Sequence, residues 1–563
     1  MIKEVAKLIQ GALKSNKIKL SLEEIEILIE IPPSHEMGDY SFPCFSLASK
    51  LKQNPHEVAL MIREKIGTEP ATDFDDIQTQ GPYVNFFLDR KNMARKIVWD
   101  AITFKEKFGM GDIGKKKKVI VEFSSPNIAK PFGIGHLRST IIGNSISNLY
   151  DFQGYKTIRM NYLGDWGTQF GKLIYGYKKY GDDDKLKKDP IKHLLDIYVR
   201  VNKDKKNEKK AREEFKKMEE GDRGNLILWK MFKGFSLKDF EEIYKRLGIK
   251  FDALIGESDY NKKMPQVIKE LENKKLLKTS QGARIVNLKE HDLGVCLIQK
   301  TDGATLYATR DITSAISRYK KYKFDQIIYE VGQEQTLYFK QFFKVLELMG
   351  YEWSKNCIHV GHGHYLDSDG KRFATRKGKT VFMEEILDKT VSLAEKEIKK
   401  RESKIKKEDL RKKANKIAIA SIFYGDLKNN RSNNVIFDLK KFVSFEGDTG
   451  PYLLYSYARA TSILNKSTNK DKFEVPELNP KELELVKKLS LFPDIAFKAY
   501  ESLNPSLVAN YAYQLSKLFN EFYHSCPVIG SEEESFRLAL IEAFRQVLKN
   551  SLNLLGISTL ERM

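Results

Sequence analysis

A segment rich in glycine, proline and polar residues, Ser124–His136, carries residue types suited to binding a phosphate. It follows the β-branched run VIVEF and opens an apolar-periodic stretch that predicts a helix. The free N–H groups and positive dipole end of a helix N-terminus favour an anion. Gly133 and Gly135 permit close approach of the backbone, while Lys130 and His136 offer donors. The segment therefore predicts a phosphate-binding loop.

Other common sites fit the sequence less well. A GxGxxG dinucleotide motif needs glycine at position 138, where Arg138 stands, and no Walker A sequence occurs. A metal centre is also disfavoured. His359, His362 and His364 cluster in HVGHGHYL, but Asp367 is the nearest carboxylate and no thiolate is close. That segment is better interpreted as a strand and a loop whose polar tips face a pocket.

The elements around the loop predict the scaffold that holds it. VIVEFSSP indicates a buried strand, and YKTIRMNYL, which follows the helix, predicts a second strand. A strand, loop, helix and strand in this order are typical of a doubly wound parallel sheet, which binds ligands at the carboxyl ends of its strands. Further strands are expected later in the chain, with Asp302 and Gly303 as a hairpin-turn candidate.

Composition divides the chain into three regions. Residues 1–90 mix helical and strand patterns and predict a small α+β domain. Residues 113–390 contain the sheet, with a lysine- and glutamate-rich segment at about 175–275 that predicts a mostly helical insertion. Residues 391–563 show amphipathic helical patterns and no convincing strand, so an all-helical domain is expected there.

Charge and cysteine content indicate partners and compartment. The 563 residues include 97 Lys and Arg against 76 Asp and Glu, a net charge of +21 that attracts nucleic acid first and an anionic membrane surface second. No apolar run reaches the roughly 18 residues of a membrane span, and no signal-peptide core begins the chain. The cysteines are scattered without a CxxC pair: Cys44, Cys296, Cys357 and Cys526. We therefore expect a folded cytoplasmic protein without disulfides or a zinc site.

Several segments resemble one enzyme family, in its order, from about residue 36 to the end. NIAKPFGIGHLRS is similar to the His-x-Gly-His signature of class I aminoacyl-tRNA synthetases, and its context resembles arginyl-tRNA synthetases. The segments that carry the resemblance are VEFSSPNIAKPF, NYLGDWGTQFGKL, FDALIGESDY, DGATLYATRDI, VGQEQTLYF, FATRKGKTV, GDTGPYLLYSYAR and LGISTLERM. Such ordered agreement is far more specific than one short motif.

The resemblance implies a fold and an activity. The fold is α/β multidomain, with a Rossmann-like parallel-sheet class I catalytic domain, a small α+β N-terminal domain and an all-α C-terminal anticodon-binding domain. The activity is ATP-dependent ligation of L-arginine to its tRNA through an arginyl-adenylate intermediate. The implied partners are L-arginine, the tRNA for arginine and ATP with Mg²⁺, without a protein-bound metal or a membrane. We expect a monomer.

The family's arginine site can be carried over position by position. It falls on Glu122, Asn127, Tyr307, Asp311 and Gln335. Two carboxylates, a phenol and two amides suit a guanidinium, which presents five donors. Taken singly, Asp311 could be a helix N-cap and Tyr307 a hairpin side chain. The five together, in matching context, favour the arginine site.

The resemblance also assigns the phosphate chemistry. Catalytic roles fall on Lys130, His136, Arg376 and Lys377, and ATP contacts fall on Lys130, Gly133, Gly135, His136 and Thr375. The loop that corresponds to the family's KMSKS motif begins at Arg372, and Thr375 replaces its second lysine. Lys130, just before the histidine signature, is expected to substitute for that lysine. Gly133 stands where the family usually has histidine.

Contacts with tRNA are implied at both ends of the chain. The first 90 residues are expected at the outer corner of the tRNA, and the helical domain at its anticodon. Tyr452, Tyr455 and Tyr457 could stack on unpaired anticodon bases, each stack contributing about 1–3 kcal/mol. The alternative is that some of these tyrosines belong to the helix core.

Two rival functions are consistent with parts of the sequence. Glycine at position 133 and the degenerate lysine loop suggest a catalytically weakened tRNA-binding paralogue of the same family. Another adenylate-forming nucleotidyltransferase of the same superfold is the second rival, and the helical tRNA-binding module argues against it. Arginine-dependent exchange of pyrophosphate into ATP separates these functions.

Overall fold

The computed structural model describes residues 2–16, 18–67, 74–128, 130–204, 206–301, 307–373, 382–468 and 472–563. These residues form two compact units. The first comprises Met1–Lys105, Ser467–Ser490 and Leu518–Phe544, and the second comprises Glu106–Lys466, Leu491–Lys517 and Arg545–Met563. Within the described ranges, no helix combines the length and the apolarity needed to cross a bilayer.

The N-terminal part of the first unit mixes helices and strands. Its elements are α1 (Ile2–Ser15), α2 (Leu22–Leu28), β1 (Tyr40–Pro43), α3 (Phe45–Leu51), α4 (Pro55–Ile66), β2 (Phe74–Gln80), β3 (Tyr83–Leu88) and α5 (Arg90–Phe104). The strands form an antiparallel sheet in the order β1-β3-β2. Val5, Ile9 and Leu13 are buried on one face of α1, the four-residue spacing of a helix that packs one side on a core.

The second unit contains the central sheet. Its elements up to residue 373 are β4 (Lys118–Glu122), α6 (Ile134–Phe152), β5 (Lys156–Leu163), α7 (Thr168–Tyr180), α8 (Asp183–Lys188), α9 (Pro190–Asn202), α10 (Asn207–Glu219), α11 (Arg223–Leu247), β6 (Ala253–Gly256), α12 (Met264–Asn273), β7 (Leu277–Ser280), β8 (Ala283–Asn287), β9 (Val295–Gln299), α13 (Tyr307–Tyr322), β10 (Gln326–Gly332), α14 (Thr336–Leu348), β11 (Cys357–His362) and β12 (Tyr365–Leu366). A separate antiparallel sheet has the order β7-β8-β9.

In the described residues, the central sheet has the order β11-β10-β4-β5-β6 and all its strand pairs are parallel. The chain leaves β4 toward β5 on one side and returns to β10 on the other side. Strand order therefore reverses between β4 and β10, and a crevice opens outside the carboxyl ends of strands at such a point. β4 ends at Glu122 and β10 ends at Gly332, so the residues that follow them meet at this crevice.

The remaining elements are almost entirely helical. They are α15 (Met383–Arg401), α16 (Lys407–Leu427), β13 (Val435–Ile436), α17 (Leu439–Phe442), α18 (Gly450–Lys466), α19 (Pro480–Ser490), α20 (Phe492–Glu501), α21 (Ser506–Ser525) and α22 (Glu534–Leu554). The prediction that no strand lies beyond residue 390 is wrong at one point, because β13 pairs with β12 in parallel. Two residues carry no periodicity that could reveal such a strand.

The parallel sheet, the small α+β N-terminal part and the helical C-terminal part confirm the predicted fold class. Helices α7–α11 fill most of the lysine- and glutamate-rich segment, but β6 lies inside the range predicted for the insertion and joins the central sheet. The predicted hairpin turn at Asp302 and Gly303 lies outside the described residues.

Close packing of α6 on β4 fixes the start of the predicted phosphate loop. A Cβ added at Gly143 would lie 2.2 Å from the Cβ atom of Phe123, the residue that follows β4. That distance is far below van der Waals contact, so only glycine lets α6 approach this closely. Phe123 is fully buried and cannot move without displacing the loop that begins at Ser124.

We expect Gly143→Ala to lower the free energy of unfolding by about 1–3 kcal/mol, because overpacking moves α6 away from β4. Gly234→Ala is the matched control, since it lies inside α11 with no atom within 4 Å of an added Cβ. It should be neutral or stabilise by up to about 1 kcal/mol. Denaturant unfolding measures both, and equal behaviour of the two variants would contradict the packing argument.

Candidate active site

A cavity of about 260 Å³ lies at the carboxyl ends of β4 and β10. Its lining residues are Glu122, Ser125, Asn127, Tyr162, Gly164, Glu257, Tyr307, Asp311, Ser314, Arg318, Tyr329, Val331, Gln335, Tyr338 and Phe339. All five residues predicted from the resemblance to bind arginine belong to this set. The structure therefore brings together side chains that are up to 213 positions apart, from Glu122 to Gln335.

Helix α13 presents one polar face to the cavity. Tyr307, Asp311, Ser314 and Arg318 follow one another at intervals of four, three and four residues, which places them on the same side of a helix. α13 begins at Tyr307, so Asp311 lies inside the helix and is not its N-cap. For the same reason Tyr307 is not a hairpin side chain. It is the first residue of α13 and is 66% exposed at the rim.

Asn127 is held at the cavity by a close backbone approach. It forms a parallel bridge with Gly164, and the Gly164 N–H donates to the carbonyl of Pro126 at 3.1 Å. A Cβ at Gly164 would lie 2.4 Å from the Asn127 Oδ1 atom, so a side chain at position 164 would displace the Asn127 amide. Gln335 lies on the exposed rim, at the end of the short 3-10 helix that follows β10.

Asp165 fastens two of the loops that line the cavity. Its carboxylate is fully buried and accepts hydrogen bonds from the Ser258 N–H at 2.8 Å and the Ser258 hydroxyl at 2.7 Å. The Lys233 ammonium of α11 lies 2.5 Å away and supplies the compensating charge. Gly164 and Glu257 are the neighbours of Asp165 and Ser258 in sequence, so this contact fixes both relative to α11.

Glu122 is paired with a charged residue that the sequence interpretation missed. The Arg318 guanidinium contacts the Glu122 carboxylate, and the two side chains are 1% and 6% exposed. Arg318 also stands over the ring of Tyr162, 4.6 Å from its centroid. The spacing of Arg318 from Asp311, seven residues or two helical turns, was the signal that could have identified it.

Asp311 and Glu257 are the other carboxylates of the cavity lining. The Tyr338 hydroxyl donates to Asp311, and burial raises the pKa of this carboxyl to about 6. Burial likewise raises the pKa of Glu257 to about 8, although the Arg310 guanidinium lies 3.4 Å away. The resemblance named neither Tyr338 nor Glu257 as a site residue. Glu257 begins a 3-10 helix directly after β6, and Tyr338 lies in the first turn of α14, so the periodicity of a single element does not show that both face one cavity.

The cavity walls also carry unsatisfied hydroxyls. Tyr162 and Tyr329 have buried phenol oxygens without a hydrogen-bond partner among the described residues. Burying such a group costs about 1–3 kcal/mol unless a ligand or a water molecule forms a hydrogen bond with it. Carboxylates, phenols and amides around one cavity therefore suit a cationic ligand with several donors, such as a guanidinium.

The predicted phosphate loop leads into α6 as expected. Gly133 is the N-cap of α6, and its N–H donates to Nδ1 of His136 at 3.3 Å, which leaves the other ring nitrogen as the donor. Burial and the nearby Lys130 charge lower the pKa of His136 to about 4. His136 is therefore neutral at pH 7, and it can act as the hydrogen-bond donor that the sequence predicts without supplying a positive charge. An added Cβ at Gly135 meets no atom within 4 Å, so this backbone faces open space.

Lys130 lies beside the start of α6. Its charge acts on His136, and its ammonium is 5.7 Å from the ring centroid of Tyr198 on α9. The remaining residues predicted for phosphate chemistry, Thr375, Arg376 and Lys377, lie outside the described residues. Lys130 is therefore the cation that the described structure places next to His136.

A second cavity of about 100 Å³ borders Gly135. Arg138, His362 and Arg372 are among its lining residues. Arg138 is buried and lies 3.4 Å from the carboxylate of Asp426 on α16, so this pair joins α6 to a later helix. Among the described residues, no group of three side chains is arranged to hold a metal ion.

The histidines of HVGHGHYL have separate roles. His359 stacks on Phe339, with ring centroids 4.5 Å apart, and His362 pairs with the Glu330 carboxylate at 2.7 Å. His364 lies 3.4 Å from Glu334.

The three tyrosines predicted to contact tRNA differ in exposure. Tyr455 is 37% exposed, and the guanidinium of Arg459 lies 4.7 Å from its ring centroid. Tyr452 is half-buried and packs near Tyr513, with centroids 5.7 Å apart. Tyr457 is only 6% exposed, which favours the alternative that this tyrosine belongs to the helix core.

Three families match successive parts of the chain. They are "Arginyl tRNA synthetase N terminal domain" at residues 3–88, "tRNA synthetases class I (R), catalytic domain" at residues 98–439 and "DALR anticodon binding domain" at residues 453–563. Proteins named arginine–tRNA ligase are similar over almost the full length. The Clostridium botulinum (strain 657) protein is 45% identical over 566 residues, and the Clostridium perfringens (strain 13) protein is 43% identical over 568 residues. Each alignment covers 99% of both chains.

Solved structures show the same fold. The arginyl-tRNA synthetase of Thermus thermophilus aligns with a TM-score of 0.83 at 22% identity, covering 100% of both chains. That of Plasmodium falciparum aligns with a TM-score of 0.82 at 25% identity, covering 100% of this chain and 99% of that one.

We expect Asp311→Asn to stabilise the ligand-free protein at neutral pH, because it removes a buried charge but keeps the shape and the acceptor for Tyr338. The pKa of Asp311 is raised from 3.8 to about 6 by folding, so its ionisation opposes folding. The free energy of unfolding of Asp311→Asn should equal that of the wild type below about pH 4. Its excess over the wild type should grow between about pH 4 and pH 6 and then stay constant at about 1–3 kcal/mol.

Denaturant unfolding across this pH range measures the difference. Asp196→Asn, on the exposed surface of α9, is the control and should show no such trend. A wild-type protein as stable as Asp311→Asn at about pH 8 would contradict the assignment of a buried, destabilising carboxylate.

Proposed function

This chain belongs to the arginyl-tRNA synthetase family, and we propose that its larger cavity binds L-arginine while the start of α6 binds ATP. As a member of that family it is an arginine–tRNA ligase, which uses ATP to join L-arginine to its tRNA. The observation that carries the site assignment is the convergence of Glu122, Asn127, Tyr307, Asp311 and Gln335 on one cavity.

The charges of the cavity explain the choice of arginine. Among the described residues, the hydrogen-bond donor to the Asp311 carboxylate is the neutral phenol of Tyr338, so the charge of Asp311 is best compensated by a ligand cation. The phenol oxygens of Tyr162 and Tyr329 can accept hydrogen bonds from a guanidinium. A neutral amino acid of similar shape would leave the Asp311 carboxylate buried and unpaired, which disfavours it strongly. This rejection at binding removes the need for an editing site.

The cavity also has a direction. Glu122 and Asp311 lie toward its interior, whereas Tyr307 and Gln335 lie on the exposed rim. We place the guanidinium inside and the α-amino and α-carboxylate groups toward the rim. Asn127 lies in the loop that runs from β4 to Gly133, so it links this rim to the phosphate site.

Activation requires the arginine carboxylate oxygen to attack the α-phosphorus of ATP, bound with Mg²⁺ as the substrate complex. A bond forms from that oxygen to phosphorus, the bond to the β-phosphate oxygen breaks, and pyrophosphate leaves with arginyl-adenylate as product. Catalysis here is mainly positioning and stabilisation of developing negative charge. The N–H groups at the start of α6, the backbone of Gly133 and Gly135, the neutral His136 and the Lys130 cation serve this purpose, with Thr375, Arg376 and Lys377 from the KMSKS-like loop.

Transfer to tRNA completes the reaction. A hydroxyl of the terminal adenosine attacks the carbonyl carbon of arginyl-adenylate, the ester bond to tRNA forms and AMP leaves. A match to the anticodon binding family at residues 453–563 supports contact of the C-terminal helices with the anticodon. Within this region, Tyr455 and Arg459 of α18 form an exposed surface that combines an aromatic ring with a cation. Tyr452 lies three residues before Tyr455 on the same helix. We propose that a monomer performs both steps.

Arginine-dependent exchange of labelled pyrophosphate into ATP tests the proposed function. We expect exchange to need tRNA, since the departures from the family's phosphate-binding motifs at Gly133 and Thr375 fit a site that is completed by induced fit. Asp311→Asn should raise the Michaelis constant for arginine by roughly 30-fold or more and leave that for ATP nearly unchanged.

The outcomes distinguish the alternatives. A catalytically weakened tRNA-binding relative would bind tRNA and show no exchange under any condition. Full exchange without tRNA would contradict the induced-fit account, and equal weakening of both substrates by Asp311→Asn would make Asp311 a structural residue.

Lys130→Ala should lower the rate of activation by about two to three orders of magnitude, as for loss of one preorganised donor. Arginine and tRNA binding should change little. Restoring lysine with Thr375→Lys in that variant should recover part of the rate, because both side chains would serve the same charge. Lys192→Ala, on the exposed surface of α9, is the control. An unaltered rate of activation in Lys130→Ala would contradict this role for Lys130 and would assign the stabilisation of phosphate charge to Arg376 or Lys377.

A further inference from the structure

The inner wall of the larger cavity carries a guanidinium that belongs to the protein. The Arg318 side chain is 1% exposed, contacts the Glu122 carboxylate and lies over Tyr162. Its Nε and Nη2 atoms have no hydrogen-bond partner among the described residues. Burying a guanidinium is costly unless a nearby negative charge compensates it, so Glu122 and Arg318 must be considered as one unit.

The carboxylates that line the cavity are unequally compensated. Glu122 is paired with Arg318, and Glu257 lies 3.4 Å from Arg310. Asp311 has Tyr338 as its hydrogen-bond donor and no ion-pair partner in the part of the chain that the structure describes. The lining therefore contains three carboxylates and one guanidinium, that of Arg318, whereas Arg310 lies outside the lining. Because the pKa of Glu257 is raised to about 8, this carboxyl is protonated at neutral pH, and the uncompensated negative charge is on Asp311.

Glu122 and Asp311 also affect each other. The negative charge of Glu122 raises the pKa of Asp311, and the positive charge of Arg318 lowers it. Without Arg318, two close carboxylates would face one small cavity with no cation between them, and one of them would bind a proton at neutral pH. A protonated carboxyl is a poor partner for a ligand cation.

We propose that Arg318 is a positioning residue for arginine recognition: it holds Glu122 as an internal ion pair and leaves the cavity with one unmatched negative charge, at Asp311. The substrate guanidinium then gives each of the two ionised carboxylates, Glu122 and Asp311, one guanidinium partner. Arg318 acts through Glu122 and Asp311 and touches no reacting atom. This inference rests on the proposed placement of arginine in the larger cavity.

The fixed guanidinium has a second consequence. Because Arg318 occupies the wall behind Glu122 and stacks on Tyr162, Glu122 cannot turn away from the cavity without breaking a buried pair. The separation of Glu122 and Asp311 is then set by β4 and α13, and it does not depend on the ligand. A preformed site of this kind loses little side-chain entropy on binding.

The test measures pyrophosphate exchange in the presence of tRNA with full-length variants. Arg318→Met removes the charge and keeps much of the side-chain length. It should raise the Michaelis constant for arginine by roughly 30-fold or more, with that for ATP changed by less than about threefold. The Michaelis constant for arginine of Arg318→Lys should lie between those of Arg318→Met and the wild type, because lysine keeps the charge but lacks the planar guanidinium. Arg159→Gln, which removes an ion pair with Asp151 elsewhere on the sheet, should leave both constants unchanged.

Arg318→Ala provides a readout that a purely structural role would not give. Guanidinium chloride at low millimolar concentration should lower the Michaelis constant for arginine in this variant, because the ion can occupy the vacated space. In the wild type, the same ion should only compete with arginine. If Arg318→Ala does not fold, Glu122→Gln with Arg318→Met removes the pair together, and this double variant should bind arginine better than Arg318→Met alone.

An unchanged Michaelis constant for arginine in the Arg318 variants, or an equal rise for arginine and ATP, would overturn the inference. Failure of both lysine and guanidinium ion to restore arginine use would also overturn it. Asp311→Asn separates this result from failure of the proposed site. If Asp311→Asn weakens arginine and the Arg318 variants do not, the site is correct and the inference is wrong. If none of these variants affects arginine, the cavity is not the arginine site.

Discussion

The burial of several carboxylates around one small cavity is the constraint on which the rest of this structure depends. Glu122, Glu257 and Asp311 all lose solvent there, which raises the pKa of each carboxyl. A folded protein accepts such a cost only when partners reduce it. Arg318 and Arg310 reduce it for two of the carboxylates, and in the proposed site the ligand guanidinium reduces it for the third. Under that proposal, arginine binding and the internal ion pairs are parts of one electrostatic arrangement.

The fold places these groups by means of backbone geometry. Reversal of strand order between β4 and β10 creates the crevice, and the four-three-four spacing on α13 turns one polar helix face into it. Asp165 and Gly164 then fix the loops at its edges. Packing of Gly143 on Phe123 holds α6 against β4, so the start of α6 remains beside the same crevice. The two proposed substrate sites are thus held side by side by one sheet and one helix N-terminus.

Much of this arrangement could be predicted from the sequence. The strand, loop, helix and strand pattern was sufficient to predict the parallel sheet and the loop that leads into α6, and the family resemblance named five of the polar residues that line the cavity. The pairing of Arg318 with Glu122 was not predicted, because these residues are 196 positions apart and periodicity describes only neighbours on one element. The exposure of Tyr455 and the burial of Tyr457 depend on tertiary packing, since both lie in the same aromatic segment. The neutral state of His136 required knowledge of its burial and of Lys130.

The central claim, that an arginine cation compensates a buried carboxylate with a raised pKa, has a direct thermodynamic test. Calorimetric titration of L-arginine into the protein near pH 6, in two buffers of different ionisation enthalpy, counts the protons exchanged on binding. Because the pKa of Asp311 is about 6 in the free protein and a bound cation lowers it, arginine binding should release up to about half a proton at this pH. The release should fall sharply in Asp311→Asn. Binding without proton release, or release that Asp311→Asn leaves unchanged, would contradict the account.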